Sequence, residues 1–141
     1  MRVFVLHGVN LNMLGRRDPE HYGSITLAEL EGKIMEWGQE LGLEVVCRQT
    51  NAEGEYVEWI QEALDSADAV IVNPGAWTHY SYAIRDALEL LSVPIVEVHL
   101  SDIASREEFR RHSVVSELAA NTISGKGAEG YHEALAFLAG R

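Results

Sequence analysis

The sequence predicts an α/β protein built on one parallel sheet with helices on both faces. Three observations carry that reading. Short apolar runs at residues 3–6, 69–72 and 94–98 lack the alternation of half-exposed strands, as expected for strands covered on both sides. Between them lie longer stretches whose apolar residues recur at helical spacing. The alternation of the two at this spacing means right-handed βαβ units.

In chain order, residues 3–6 form the first strand, which ends at His7 and Gly8. Residues 14–23 follow, with Arg16, Arg17, Pro19 and Tyr22 between Gly15 and Gly23. Strand-to-helix connections are usually two to six residues long. A longer one of this composition reads as a lid over about residues 13–24, with glycine hinges and a stiff middle. Thr26 and Glu29 have capping-box spacing, and Leu27, Leu30, Ile34, Trp37 and Leu41 continue a helix that Gly42 ends. Residues 43–48 give a second strand. A second helix spans about 54–65, with Tyr56, Trp59, Ile60 and Ala63 or Leu64 inward. After the strand at 69–72, a third helix is expected from Thr78 to about Leu91. Pro94 opens the fourth strand, residues 101–112 are broken and charged, and 121–124 form the last strand before a helix carrying Tyr131, Leu135 and Leu138. Five strands suit a flavodoxin-like order, 2-1-3-4-5, in one domain over residues 1–141, with the site at the carboxyl ends of the strands.

Charge narrows the partners. A net charge of −11 argues against nucleic acid, which needs a basic surface. Yet Arg16, Arg17, Arg106, Arg110 and Arg111 lie in two short stretches, which points to a local pocket for a small anion. For Arg16 and Arg111, surface pairing with Asp18, Glu107 or Glu108 is preferred. No stretch is apolar for the length of a membrane span, and the N-terminus enters a strand with no signal-peptide pattern. Cys47 lies in an apolar run and reads as a small buried hydrophobe. A cytoplasmic protein is expected.

Three loops deliver chemistry to one sheet edge: Asn10, Asn12, Arg17 and Tyr22 after the first strand, residues 73–79 after the third, and Glu97, His99, Ser101, Arg106 and Arg110 at the fourth. That convergence is the bottom-up case for an active site. Glu97, His99 and Ser101 are two apart and share a side of an extended strand. A carboxylate beside an imidazole fixes its tautomer, as for an acid or base, although a satisfied strand-end histidine has the same pattern. Arg106 and Arg110, four apart, would reach one anion or pair with Asp102, Glu107 or Glu108. A phenol titrates near about 10 and is a poor base unless a cation lowers that value. Arg17 supplies such a cation for Tyr22, which without it would be a packing tyrosine. Gly125-Lys126-Gly127 fits a short phosphate loop or a common turn. His7, His79, His99 and Glu97 are conceivable metal ligands, but they form no tight motif and general acid chemistry ranks first.

These residues resemble one family, type II 3-dehydroquinate dehydratase. The resemblance rests on residues 8–12, 14–19 and 22–23, then 73–76, 78–81 and 85–87, and finally 97–101, 106–110 and 125–131. It implies dehydration of 3-dehydroquinate to 3-dehydroshikimate, in the shikimate pathway or in quinate breakdown, by an anti elimination through an enolate with no metal or cofactor. Tyr22 would take the proton alpha to the ketone, held ionised by Arg17. Asn10 would help bind the water that stabilises the enolate, and His99, oriented by Glu97, would protonate the departing hydroxyl. Asn73, His79, Leu100, Ser101 and Arg110 would hold the substrate, Asp86 would act in a neighbouring subunit, and Arg106 matches an arginine on the lid side. The resemblance also implies a homododecamer built from trimers. The family usually has Asn or Gln in place of His7, Pro in place of Val9 and often glycine in place of Asn121. The His7 change would put a titrating group beside the site.

The rival reading is a non-catalytic flavodoxin-like domain that binds a small hydroxy acid. A receiver domain would need an acidic pair after the first strand, and an FMN carrier a Ser/Thr/Gly-rich loop. Residues 7–14 supply neither. Arg17, Tyr22, Glu97 and His99 favour an enzyme, since a binder needs neither a base nor an acid.

Overall fold

The computed structural model describes residues 1–140. Its elements are β1 (Arg2–His7), α1 (Pro19–Tyr22), α2 (Leu27–Glu40), β2 (Glu44–Gln49), α3 (Glu53–Ser66), β3 (Ala69–Asn73), α4 (Tyr82–Glu89), β4 (Ile95–His99), β5 (Asn121–Ser124) and α5 (Glu129–Ala139). All strand pairs are parallel, and the sheet order is 2-1-3-4-5, as the sequence predicts. Alternate side chains on each strand go to opposite faces. Val3, Val5, Ile71, Val96 and Val98 pack with α2 and α5, whereas Phe4, Leu6, Val70, Val72 and Ile95 pack with α3 and α4. Among the described residues, no helix is long and apolar enough to cross a membrane.

The Thr26 capping box forms at α2. The Thr26 hydroxyl accepts from the Glu29 N–H at 3.2 Å, and the Glu29 carboxylate accepts from the Thr26 N–H at 3.0 Å. One expectation needs correction. The third helix does not follow Thr78 directly: residues 75–79 form a 3-10 turn around buried Trp77. α4 starts at Tyr82, where the Ser81 hydroxyl accepts from the Ile84 N–H. The segment at 14–23, expected as a lid, contains the one-turn helix α1. Leu14 is buried in the core, and Gly15 and Gly23 have φ of 92° and 71°. Between them the Asp18 carboxylate caps α1, accepting from the Glu20 N–H at 3.0 Å.

β1 and β3 end together. The Gly8 N–H donates to the Asn73 carbonyl at 2.8 Å, and a Cβ on Gly8 would lie 2.3 Å from the Pro74 carbonyl oxygen. Both neighbours are backbone, so the clash cannot be relieved by turning a side chain. Gly8→Ala is therefore expected to destabilise the fold by about 3 kcal/mol. In thermal unfolding this would read as a Tm lower by roughly 10 °C.

Gly125 and Gly127 donate their N–H groups to the Ser101 and Leu100 carbonyls, and Lys126 pairs with Glu133 at 2.7 Å. The phosphate-loop reading falls, because these donors already pin the chain after β4 to the chain after β5.

Candidate active site

The carboxyl ends of β1, β3 and β4 open into a small cavity. Arg17 and Tyr22 reach it from the 14–23 segment. Asn73 and His79 come from the end of β3 and the turn beyond it, and His99, Leu100 and Ser101 from the end of β4. Arg106 and Arg110 close it from the 101–112 stretch. Nine of the residues expected from the sequence are thus brought together.

Tyr22 is gripped from two directions. Its oxygen accepts from Arg17 Nη2 at 2.8 Å and from Arg106 Nη1 at 2.6 Å. The Arg17 guanidinium carbon also lies 3.8 Å from the Tyr22 ring centroid. Two fixed cations donating to one phenol oxygen stabilise negative charge on it. Arg17 itself is lowered from its usual range by burial, with the nearby Arg110 and Arg106 charges adding to the effect and Tyr22 opposing it. Arg106 Nη1 donates to Tyr22 and lies 3.3 Å from the Ser101 hydroxyl, while its Nε has no hydrogen-bond acceptor. Glu107 lies 2.8 Å from Arg110 Nε, but out of line with its N–H, which has no hydrogen-bond acceptor. Among the described residues no carboxylate lines the cavity, although Glu107 lies behind Arg110 and 4.0 Å from Arg106. Three guanidinium groups at one small cavity suit an anionic ligand.

Glu97 stands behind His99 rather than in the cavity. His99 Nε2 lies 2.6 Å from Glu97 Oε2 and donates to it, which leaves Nδ1 for the cavity. The same Oε2 accepts from the Thr78 hydroxyl at 2.7 Å and the Ser113 hydroxyl at 2.9 Å, and Oε1 accepts from the Ser116 hydroxyl at 2.6 Å. Burial would raise this carboxyl, but the His99 hydrogen bond and charge, with Ser116 and Thr78, bring it down to about 2. Its hydroxyl partners are 16 and 19 residues away in sequence, beyond the reach of strand periodicity.

His79 Nδ1 donates to the His112 carbonyl at 2.7 Å, leaving Nε2 for the cavity. Burial lowers its titration, and the His99 and Arg110 charges add to that against the His112 carbonyl. Asn73 is oriented at both ends of its amide: Nδ2 donates to the Tyr131 hydroxyl at 3.0 Å, and Oδ1 accepts from the Gly75 N–H at 3.1 Å. Leu11, Gly75, Ala76 and Ile103 complete the lining. Leu11 and Ile103 carry only an apolar signal in the sequence, which marked neither as part of a site.

Asn10 and Asp86 are not brought to the cavity. Asn10 is exposed in a left-handed conformation, φ 68°, and its N–H donates to Asn51 Oδ1 at 2.8 Å. Asp86 is exposed on α4. His7 is also elsewhere. It faces Tyr131 and Glu31 on the α2/α5 side of the sheet, so the histidines do not gather with Glu97 around one point.

Fold and cavity together define a flavodoxin-like α/β protein with a small-anion site at the carboxyl edge of its sheet. The chain belongs to the class II dehydroquinase family, whose model matches residues 1–139. It is 58% identical over 132 residues to a 3-dehydroquinate dehydratase of Syntrophotalea carbinolica, covering 93% of this chain and 89% of that one. A 3-dehydroquinate dehydratase of Salinispora tropica is 56% identical over 141 residues, covering 100% and 99%. The crystal structure of type II dehydroquinase from Propionibacterium acnes superposes with a TM-score of 0.96 at 49% identity, covering 99% of this chain and 97% of that one.

Proposed function

We propose that the protein is a hydro-lyase that dehydrates 3-dehydroquinate to 3-dehydroshikimate, in the shikimate pathway or in quinate breakdown. The observation that carries this reading is the Tyr22 oxygen held by two arginines in the same cavity as a carboxylate-oriented imidazole. The Tyr22 phenolate removes the proton from the carbon next to the ketone, and the electron pair forms an enolate. His99 enters the step as the imidazolium, with Nε2–H on Glu97 and Nδ1–H toward the cavity. Collapse of the enolate expels the hydroxyl one carbon further on, and Nδ1 gives it its proton so that water leaves. The proton taken by Tyr22 returns through solvent to His99 to reset both groups. Arg110, with its spare donors, takes the substrate carboxylate, and Asn73, His79, Leu100 and Ser101 hold the hydroxyls. Asn10, exposed at the end of β1, acts through a bound water in this reading.

The working unit in this reading is a homododecamer of trimers in the cytoplasm, each chain a single domain over residues 1–141. Asp86 then completes a neighbouring subunit's cavity. Tyr80 and Tyr82 beside it, 60% and 69% exposed, supply surface for that contact. The test is an ultraviolet assay of the conjugated product with purified protein, 3-dehydroquinate and no added cofactor. Turnover that survives a chelator supports the reading. Saturable substrate binding without turnover would overturn it in favour of a binding protein.

A further inference from the structure

A second cluster of chemistry lies outside the cavity, on the α2/α5 face of the sheet. Cys47 pairs in register with Val5, so it shares a face with His7 two residues further along β1. α2 covers that face and brings Glu31 over both. One ligand atom from each of His7, Glu31 and Cys47 lies within 4.8 Å of the other two. His7 is 0% exposed, and its Nε2 has no hydrogen-bond partner, with Glu31 Oε2 the nearest acidic oxygen at 3.8 Å. A buried polar atom left in this state is costly, and it is aimed at two potential anions.

We propose that His7 Nε2, Cys47 Sγ and the Glu31 carboxylate form a binding site for a zinc-type divalent ion, with a fourth position open to water. An imidazole and a thiolate with one carboxylate suit zinc better than magnesium or calcium. Zinc holds nitrogen and oxygen at about 2.0 Å and sulfur at about 2.3 Å, so the three groups must close by roughly an ångström. Glu31, whose side chain is 30% exposed on a helix, can move that far and gives the ion its path from solvent. The ligand is the thiolate, so binding displaces the Cys47 proton to solvent. His7 Nδ1, 3.5 Å from the Tyr131 hydroxyl, then carries the ring proton and donates to that oxygen, which also accepts from Asn73.

The test is titration of the chelator-stripped full chain with cobalt as a spectroscopic probe, followed by displacement with zinc. Binding of one cobalt per chain is expected, with a thiolate-to-cobalt band in the near ultraviolet and release of one proton. Cys47→Ser should abolish the band. Loss of a ligand should exceed the about 10–100-fold cost of losing an outer partner, so His7→Asn and Glu31→Gln should each weaken binding by about 100-fold or more. Glu31→Gln sits at a half-exposed position and should fold normally, which thermal unfolding checks. His132→Asn, beside Glu129 on the surface, should leave binding unchanged. Absence of the band, or full affinity in His7→Asn or Glu31→Gln, would overturn the site, as would loss of binding in His132→Asn.

Discussion

Tyr22→Phe is expected to lower kcat by about 10²–10⁴-fold, the usual contribution of a positioned base, while KM moves by less than about tenfold. The substitution keeps the ring that packs under Arg17 and removes only the oxygen on which Arg17 and Arg106 converge. Steady-state kinetics on 3-dehydroquinate read both parameters. Thermal unfolding should place the variant within about 1 kcal/mol of the parent, since its packing is unchanged. A variant with parental kcat would remove Tyr22 as the base and leave the family activity in place.

Glu97→Gln is expected to damage stability and turnover together. In the folded chain the carboxyl is held down at about 2, against an ordinary value of 4.5. Because the folded value lies below the unfolded one, ionised Glu97 stabilises the fold fully above about pH 4.5 and loses that contribution as the pH falls toward 2. The difference is on the order of 3 kcal/mol. A glutamine cannot accept at all four donors, and its amide would turn an N–H toward Thr78, His99 and Ser113 or toward Ser116. Urea midpoints measured between pH 7 and pH 2 should therefore show a variant that is less stable at neutrality and loses less on acidification. Turnover should fall by about 10²-fold or more, because the His99 ring loses the acceptor that fixes its tautomer. An acid profile that matches the parent would show that the Glu97 charge contributes nothing to the fold.

The sheet was legible because a parallel strand buried on both faces has to be apolar along its length. Residues 3–6 and 69–72 carry that signature without ambiguity. The capping box was legible because it is local, with both partners within three residues. The onset of α4 was missed because Trp77, not a helix, anchors the turn after β3, and one buried aromatic resembles a helical position in sequence. The site was legible as a set of residue types at strand ends, but not as a set of bonds. Arg106 and Tyr22 are 84 residues apart, and the hydroxyls on Glu97 come from two places in the chain, Thr78 and the stretch holding Ser113 and Ser116. His7 was placed beside the cavity by its position at a strand end. It does not line the cavity: it sits behind Tyr131, whose hydroxyl holds Asn73.

In the proposed mechanism the Arg106–Tyr22 bond carries a further consequence. One donor to the phenol oxygen belongs to the same segment as Tyr22, but the other belongs to the stretch after β4. Both donors reach the oxygen only while the two stretches touch, so any separation of residues 14–23 from 101–112 removes the Arg106 hydrogen bond. Under that mechanism proton abstraction is tied to contact between the two stretches.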